Sequence, residues 1–132
     1  MNTLTKNLEG PIKRIILLQR EDGCIPWTED GVFDAWNHLE CVMALNTLGH
    51  SREAELGFTY LKKNQLEDGS WLGELGSTLE IDKNKGTFIN RDKNSKIYFR
   101  DTNFAAYIAT ACWHDFLVNK SINNLTKNWN MI

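Results

Sequence analysis

The sequence predicts an all-α fold built from helical hairpins, and three observations carry that prediction. An internal repeat sets Gln19-Arg-Glu-Asp-Gly-Cys-Ile-Pro-Trp27 and Gln65-Leu-Glu-Asp-Gly-Ser-Trp71 46 residues apart, each between two stretches of helical periodicity. The flanking stretches alternate between one-sided amphipathic patterns and patterns apolar nearly all round, as outer and inner helices would. With 42% hydrophobic and 24% charged residues the composition is globular, which excludes a disordered or fibrous chain, and 132 residues make a single domain spanning 1–132.

The first helix is expected to begin at Gly10-Pro11, because proline suits the first helical position, where its missing N–H is not needed. Ile12, Ile15, Ile16 and Gln19 fall on one face of it, and Asp22-Gly23 ends it. A second helix is expected from Asp34, as N-cap, to Leu48, with Gly49 as the stop. Its apolar residues surround the cylinder, so it reads as an inner helix. Ser51 should cap a third helix, to Asn64, with Glu53 and Glu55 in the first turn and Lys62 and Lys63 in the last. Ala54, Gly57, Phe58 and Leu61 give that helix a single apolar stripe, so the alternation repeats.

Residues 72–100 then interrupt the helical pattern, and within them Gly86–Asn90 and Lys96–Arg100 could pair as a short β-hairpin around Arg91–Asn94. Asp101 should cap a fourth helix, to Val118, again apolar around most of its surface. Its polar exceptions Asn103, Tyr107, Thr110 and His114 share one face, which suggests a cavity lining; internal hydrogen bonding explains the stripe almost as well. Lys120–Ile132 reads as a linker and the start of another outer helix.

A net charge of −2 leaves no electrostatic footprint for nucleic acid or an anionic membrane. No transmembrane segment and no signal-peptide core is expected, which makes the cytoplasm the expected location. Three cysteines without a CxxC pair point to reduced thiols rather than a disulfide framework. His38 and Cys41 have i, i+3 spacing, but Cys112 and His114, two apart, point in different directions, so no metal site is expected. No Gly-rich phosphate loop or other cofactor signature appears.

Gln65–Trp71 resembles the QW motif of the squalene–hopene cyclase, terpenoid cyclase and protein prenyltransferase superfamily, and Gln19–Trp27 resembles a stretched copy of it. Asp34-Ala-Trp-Asn-His-Leu-Glu40 and Asp101-Thr-Asn-Phe-Ala-Ala-Tyr107 resemble the inner helices of bacterial prenyltransferase-repeat proteins. The resemblance covers Pro11 to Val118. It implies a partial α/α toroid, a ring of inner helices within a ring of outer ones, and a prenyltransferase or cyclase handling an isoprenoid or other hydrophobic small-molecule substrate. The sequence departs from the superfamily in lacking its DxDD acid and a complete zinc-ligand set. The motif itself argues for a staple: a glutamine at a helix end can bond free carbonyls or bridge to the next helix, while its tryptophan packs nearby. Two hairpins are only part of a ring, so an exposed apolar edge is expected, through which copies could self-associate.

The catalytic candidates are Asp34, His38 and Glu40, the densest ionisable group, in which Asp34 and His38 are spaced to pair on one helical face. A simple N-cap role for Asp34 is the competing explanation. The candidate substrate-binding residues are Trp36, Asn37, Asn103, Tyr107, Trp113 and His114, aromatic and polar groups able to line a cavity. Two rival functions stand beside the isoprenoid one. In a carbohydrate-active α/α toroid, carboxylates and tryptophans would serve as acid, base and sugar platforms. A non-catalytic repeat scaffold would bind a protein partner on its edge.

Overall fold

The computed structural model describes residues 3–29, 31–73, 88–90, 95–97 and 100–132. Within them the chain is all-α, with helices α1 (Thr3–Leu18), α2 (Ala35–Thr47), α3 (Ser51–Lys63), α4 (Thr102–Asn119) and α5 (Ile122–Trp129). A two-stranded antiparallel ribbon, β1 (Phe88–Asn90) with β2 (Ser95–Ile97), pairs Phe88 with Ile97 and Asn90 with Ser95. The expected bend at Arg91–Asn94 lies outside the described residues.

The helix boundaries follow from capping chemistry. Asp34 is extended and its carboxylate accepts from the Asn37 N–H; Asp101 does the same for the Asn103 N–H. Gly49 closes α2 in the left-handed conformation, at φ +86°. Two expected starts are corrected. Ser51 is the first residue of α3, not its cap; His50 holds that position, its carbonyl accepting from Ala54 and its side chain making no cap bond. α1 begins at Thr3 and runs through Pro11, rather than starting there. Residues 7–11 are all exposed, so this first half of α1 rests on local helical bonding and gives up one bond at the proline.

The tertiary arrangement is set by three interfaces. α2 and α3 form an antiparallel hairpin joined by a short turn, and α4 and α5 form a second. α2 and α4 lie side by side and parallel. Trp36 near the start of α2 meets Phe104 and Tyr107 near the start of α4, and Asn46 near the end of α2 meets Asp115 and Asn119 near the end of α4. Leu39, Val42, Leu45, Ile108, Ala111 and Cys112 are buried together with Phe58, Leu61 and Trp71 in one core. α2 and α4 are therefore the inner helices of two outer–inner pairs, as the alternating pattern implies. α4 is less enclosed than expected: Trp113, Leu117 and Val118 are exposed on it.

The repeated turn does act as a staple. The Gln19 amide donates to the Gly23 carbonyl at the end of its own turn and to the Glu53 carbonyl of α3; Gln65 donates in the same way to Gly69 and to Met131 beyond α5. In both copies the aspartate accepts from the N–H two residues on, Cys24 or Ser70, and the glycine takes positive φ. The tryptophans differ. Trp71 is buried and its indole N–H bonds the Leu61 carbonyl in the last turn of α3, whereas Trp27 is half exposed. Counted from the shared glycine, Ile25 and not Trp27 occupies the place of Trp71, and Ile25 is buried. Replacing Gln19 by alanine removes two hydrogen bonds, one within its own turn and one bridging to α3. It should lower stability by about 1–3 kcal/mol in urea denaturation, whereas alanine at exposed Glu67 should leave the midpoint unchanged.

Candidate active-site groove

The first turns of α2 and α4 point the same way, so the sequence segments Asp34–Glu40 and Asp101–Tyr107 meet at one end of the inner helices. Asp34 is 2% exposed, and its cap geometry turns the carboxylate back on its own helix. One oxygen accepts from the Asn37 backbone N–H at 2.9 Å; the other accepts from the Asn37 amide at 2.6 Å and from the Trp27 indole N–H. Asp34 thereby fixes two side chains, Trp27 and Asn37, at the mouth of a groove. The groove has a volume of about 650 Å³ and runs between α1, the Ile25–Trp27 loop and α2. Ile15, Leu18, Ile25, Pro26 and Ala44 supply its apolar lining; Trp27, Asn37, Glu40 and Cys41 supply its polar and aromatic groups.

Glu40 is exposed, and its Oε1 accepts from the Trp36 indole N–H at 2.9 Å and stands 3.5 Å from the Tyr107 hydroxyl. Trp36 and Tyr107 lie 5.5 Å apart, centroid to centroid, at 33°. Loss of solvent and the neighbouring Glu40 charge both push the Tyr107 hydroxyl above its ordinary pKa, so it stays a neutral donor. This carboxylate is thus shared between the groove and an aromatic pair. Asn103 sits exposed one turn before Tyr107.

His38 is placed differently. The expected Asp34–His38 side-chain pair does not form, because the imidazole faces α3 while the aspartate caps α2. His38 is fully buried; Nδ1 accepts from the Ile25 N–H at 3.1 Å and Nε2 donates to the Gly57 carbonyl at 2.9 Å. Ile25 N–H can only donate and Gly57 O can only accept, which fixes the tautomer. Phe33 and Tyr60 stand edge-on and tilted against the ring at 5.1 and 5.8 Å. Burial pushes the imidazole from 6.5 down to about 4. Trp113 and His114 do not join the groove. They lie two turns farther along α4, Trp113 against Phe116 at 5.3 Å and His114 3.2 Å from the Thr47 hydroxyl.

Trp27 belongs to the staple motif by its sequence, and Phe33 and Tyr60 carry no sequence signal of their own. Register against the second repeat copy already separates Trp27 from Trp71; nothing local marks Phe33 and Tyr60 as the walls around His38. Among the described residues no three His, Cys, Asp or Glu side chains converge as metal ligands. Burial raises the thiol pKa of Cys24, Cys41 and Cys112, the last to about 11, which keeps all three protonated. Among the described residues no helix is long and apolar enough to cross a membrane.

No protein-family model matches the chain. A curated relative, the MMP endo-(1,4)-3-O-methyl-alpha-D-mannosidase of Mycolicibacterium hassiacum, is 33% identical over 100 residues, 76% of this chain. The match covers 24% of the relative, so the chain spans about a quarter of that protein's length. This finding corrects the resemblance to prenyltransferases and terpenoid cyclases: the relative is named as a glycoside hydrolase. In this chain the Gln-to-Trp turn is a structural staple, and a staple carries no information on substrate.

The His38 linkage has a definite sign. A depressed folded-state pKa means that the unfolded chain takes up the proton first, so the stability that neutral His38 supports is complete above pH 6.5. It is lost as the pH falls from there towards 4. By pH 5 the loss should reach about 2 kcal/mol. Urea denaturation between pH 7 and 5 should show this slope, and His38→Gln should flatten it; an equal slope in the variant would assign the effect elsewhere.

Proposed function

We propose that the chain is a carbohydrate-active helical domain whose groove holds an α-linked mannose-type oligosaccharide, with Glu40 as the group that exchanges a proton with the glycosidic oxygen or the attacking water. The observation that carries this reading is the setting of Glu40: an exposed carboxylate on the groove wall, beside Trp36 and Tyr107 and facing the Trp27 indole and Asn37 amide. Sugar rings offer apolar C–H faces to aromatic side chains and hydroxyls to amides and carboxylates, and glycosidic cleavage runs on a pair of carboxyl groups, of which Glu40 would supply one. The relative's name supports the same class of substrate.

Asp34 fits a positioning role better than proton transfer. Both its oxygens are taken by Trp27 and Asn37, so it orients the residues that would grip the sugar. Asn103 extends the polar rim from α4. His38 supports the same groove from behind by holding the Ile25 loop. A second reading, a non-catalytic scaffold, is favoured by one observation, the exposed Trp113, Leu117 and Val118 on α4, which suit contact with another helical repeat or a second copy.

Incubation with an α-(1,4)-linked oligosaccharide of 3-O-methylmannose should release shorter products. Glu40→Gln should slow that release by about 10²-fold or more with little change in Tm, as expected for removal of a general acid–base group. An unchanged rate in the variant would remove Glu40 from the reaction. Absence of any binding or cleavage, together with concentration-dependent association of the chain, would favour the scaffold.

A further inference from the structure

A second cavity, of about 380 Å³, lies among α3, the C-terminal half of α4 and α5, and it shares no lining residue with the groove. Its innermost polar group is Asp115, 4% exposed. Asp115 Oδ1 accepts from the Asn46 amide at 2.6 Å and the Asn119 amide at 2.7 Å. Its Oδ2 is buried without a hydrogen-bond partner among the described residues. A buried carboxylate oxygen left unpaired is costly, so the position calls for a donor. One water occupies about 30 Å³, less than a tenth of this cavity, so satisfying the carboxylate in that way would leave most of the space open.

The lining states which donor fits. Arg52 and Lys127 balance Glu55 and Asp115, and the Lys127 ammonium is held by Glu55 at 2.6 Å. A free cation entering would meet the guanidinium and the ammonium; an anion would meet two carboxylates. A neutral molecule that both donates and accepts hydrogen bonds meets no such penalty. Phe58, 4% exposed, gives the cavity one apolar wall, and the volume suits a single ring rather than a chain. We infer that this cavity binds one neutral hexopyranose unit, with a hydroxyl donating to Asp115 Oδ2 and with Arg52 and Asn124 donating to the sugar oxygens. The inference rests on the cavity alone and does not depend on the groove being catalytic.

The test is a titration of the ¹⁵N-labelled full chain with D-mannose, followed by amide chemical shifts. Saturable shifts are expected at Ser51, Asn119, Asn124 and Lys127, with millimolar affinity. Asn124→Leu should weaken them at least tenfold, since it fills the cavity from an exposed first turn and keeps the backbone bond to Ser121. Asp115→Asn should weaken them too, and Asn124→Leu decides the matter if the Asp115 variant fails to fold. The proposal is overturned if these amides do not shift, if Asn124→Leu shifts as the parent does, or if ammonium chloride or sodium sulfate reproduces the response. Groove amides at Trp27 and Glu40 report separately, so a failed groove reading is distinguishable from a failed cavity.

Discussion

A single imidazole joins the three segments on which the groove depends. His38 lies on α2, takes its proton-accepting bond from the Ile25 loop and gives its N–H to α3. Without a charge it costs little to bury; with one it would set an Nδ1–H against the Ile25 N–H inside a dry, aromatic-walled space. The same contact dictates the residue opposite. A Cβ at position 57 would collide with Val42 and press on the His38 ring, so α3 can approach this closely only with glycine there. Ile25 is two residues from Trp27, and Trp27 is tied to Asp34. The orientation of the groove's aromatic rim is therefore set from behind, by a residue that does not line the groove.

The two ends of the inner helices solve opposite electrostatic problems. At the N-terminal ends, free N–H groups and the positive end of each helix dipole favour carboxylates, and Asp34 and Asp101 occupy the caps. Exposed Glu40 sits one turn in. At the C-terminal ends the dipole disfavours an anion, yet Asp115 is buried there. Two amides compensate: Asn46 and Asn119 donate to the same oxygen, and Asn119 also donates to the Asn46 side-chain Oδ1. This network pins α4 against α2 at a fixed register, while Trp36 with Phe104 and Tyr107 pins the other end. A polar clasp at one end and an aromatic one at the other explain why two helices with poorly directional apolar faces settle in one parallel arrangement.

The features legible in the sequence are those governed by local chemistry. Asp34 and Asp101 cap helices because the following turns need acceptors, and Gly23, Gly49 and Gly69 mark turns because they take positive φ. The Gln-Glu-Asp-Gly spacing gave the staples and the alternation of outer and inner helices. Features set by tertiary contact were not legible. Nothing in the Asp34–His38 spacing says that the imidazole turns towards Gly57. The apolar pattern of α4 exceeds its burial, because periodicity reports the side a helix can bury and not whether a neighbour covers it. The candidate site was half legible: Asp34, Trp36, Asn37, Glu40 and Tyr107 come together, while Asn103 is exposed one turn before Tyr107 and Trp113 and His114 stand elsewhere.

The choice between isoprenoid and carbohydrate chemistry shows what architecture leaves undecided. Outer and inner helices stapled by a glutamine and a turn are a solution to stacking hairpins, and any chemistry can be mounted at the end of such a stack. The groove's apolar floor of Ile15, Leu18, Ile25 and Ala44 suits either a prenyl chain or the C–H face of a sugar. Its rim is more selective. A hydrocarbon chain makes no use of an exposed carboxylate hydrogen-bonded to an indole and beside a phenol. Under the carbohydrate proposal a ring bearing hydroxyls would bond this carboxylate at the groove wall. The polar rim, more than the helical frame behind it, is therefore what favours the carbohydrate proposal over the isoprenoid one.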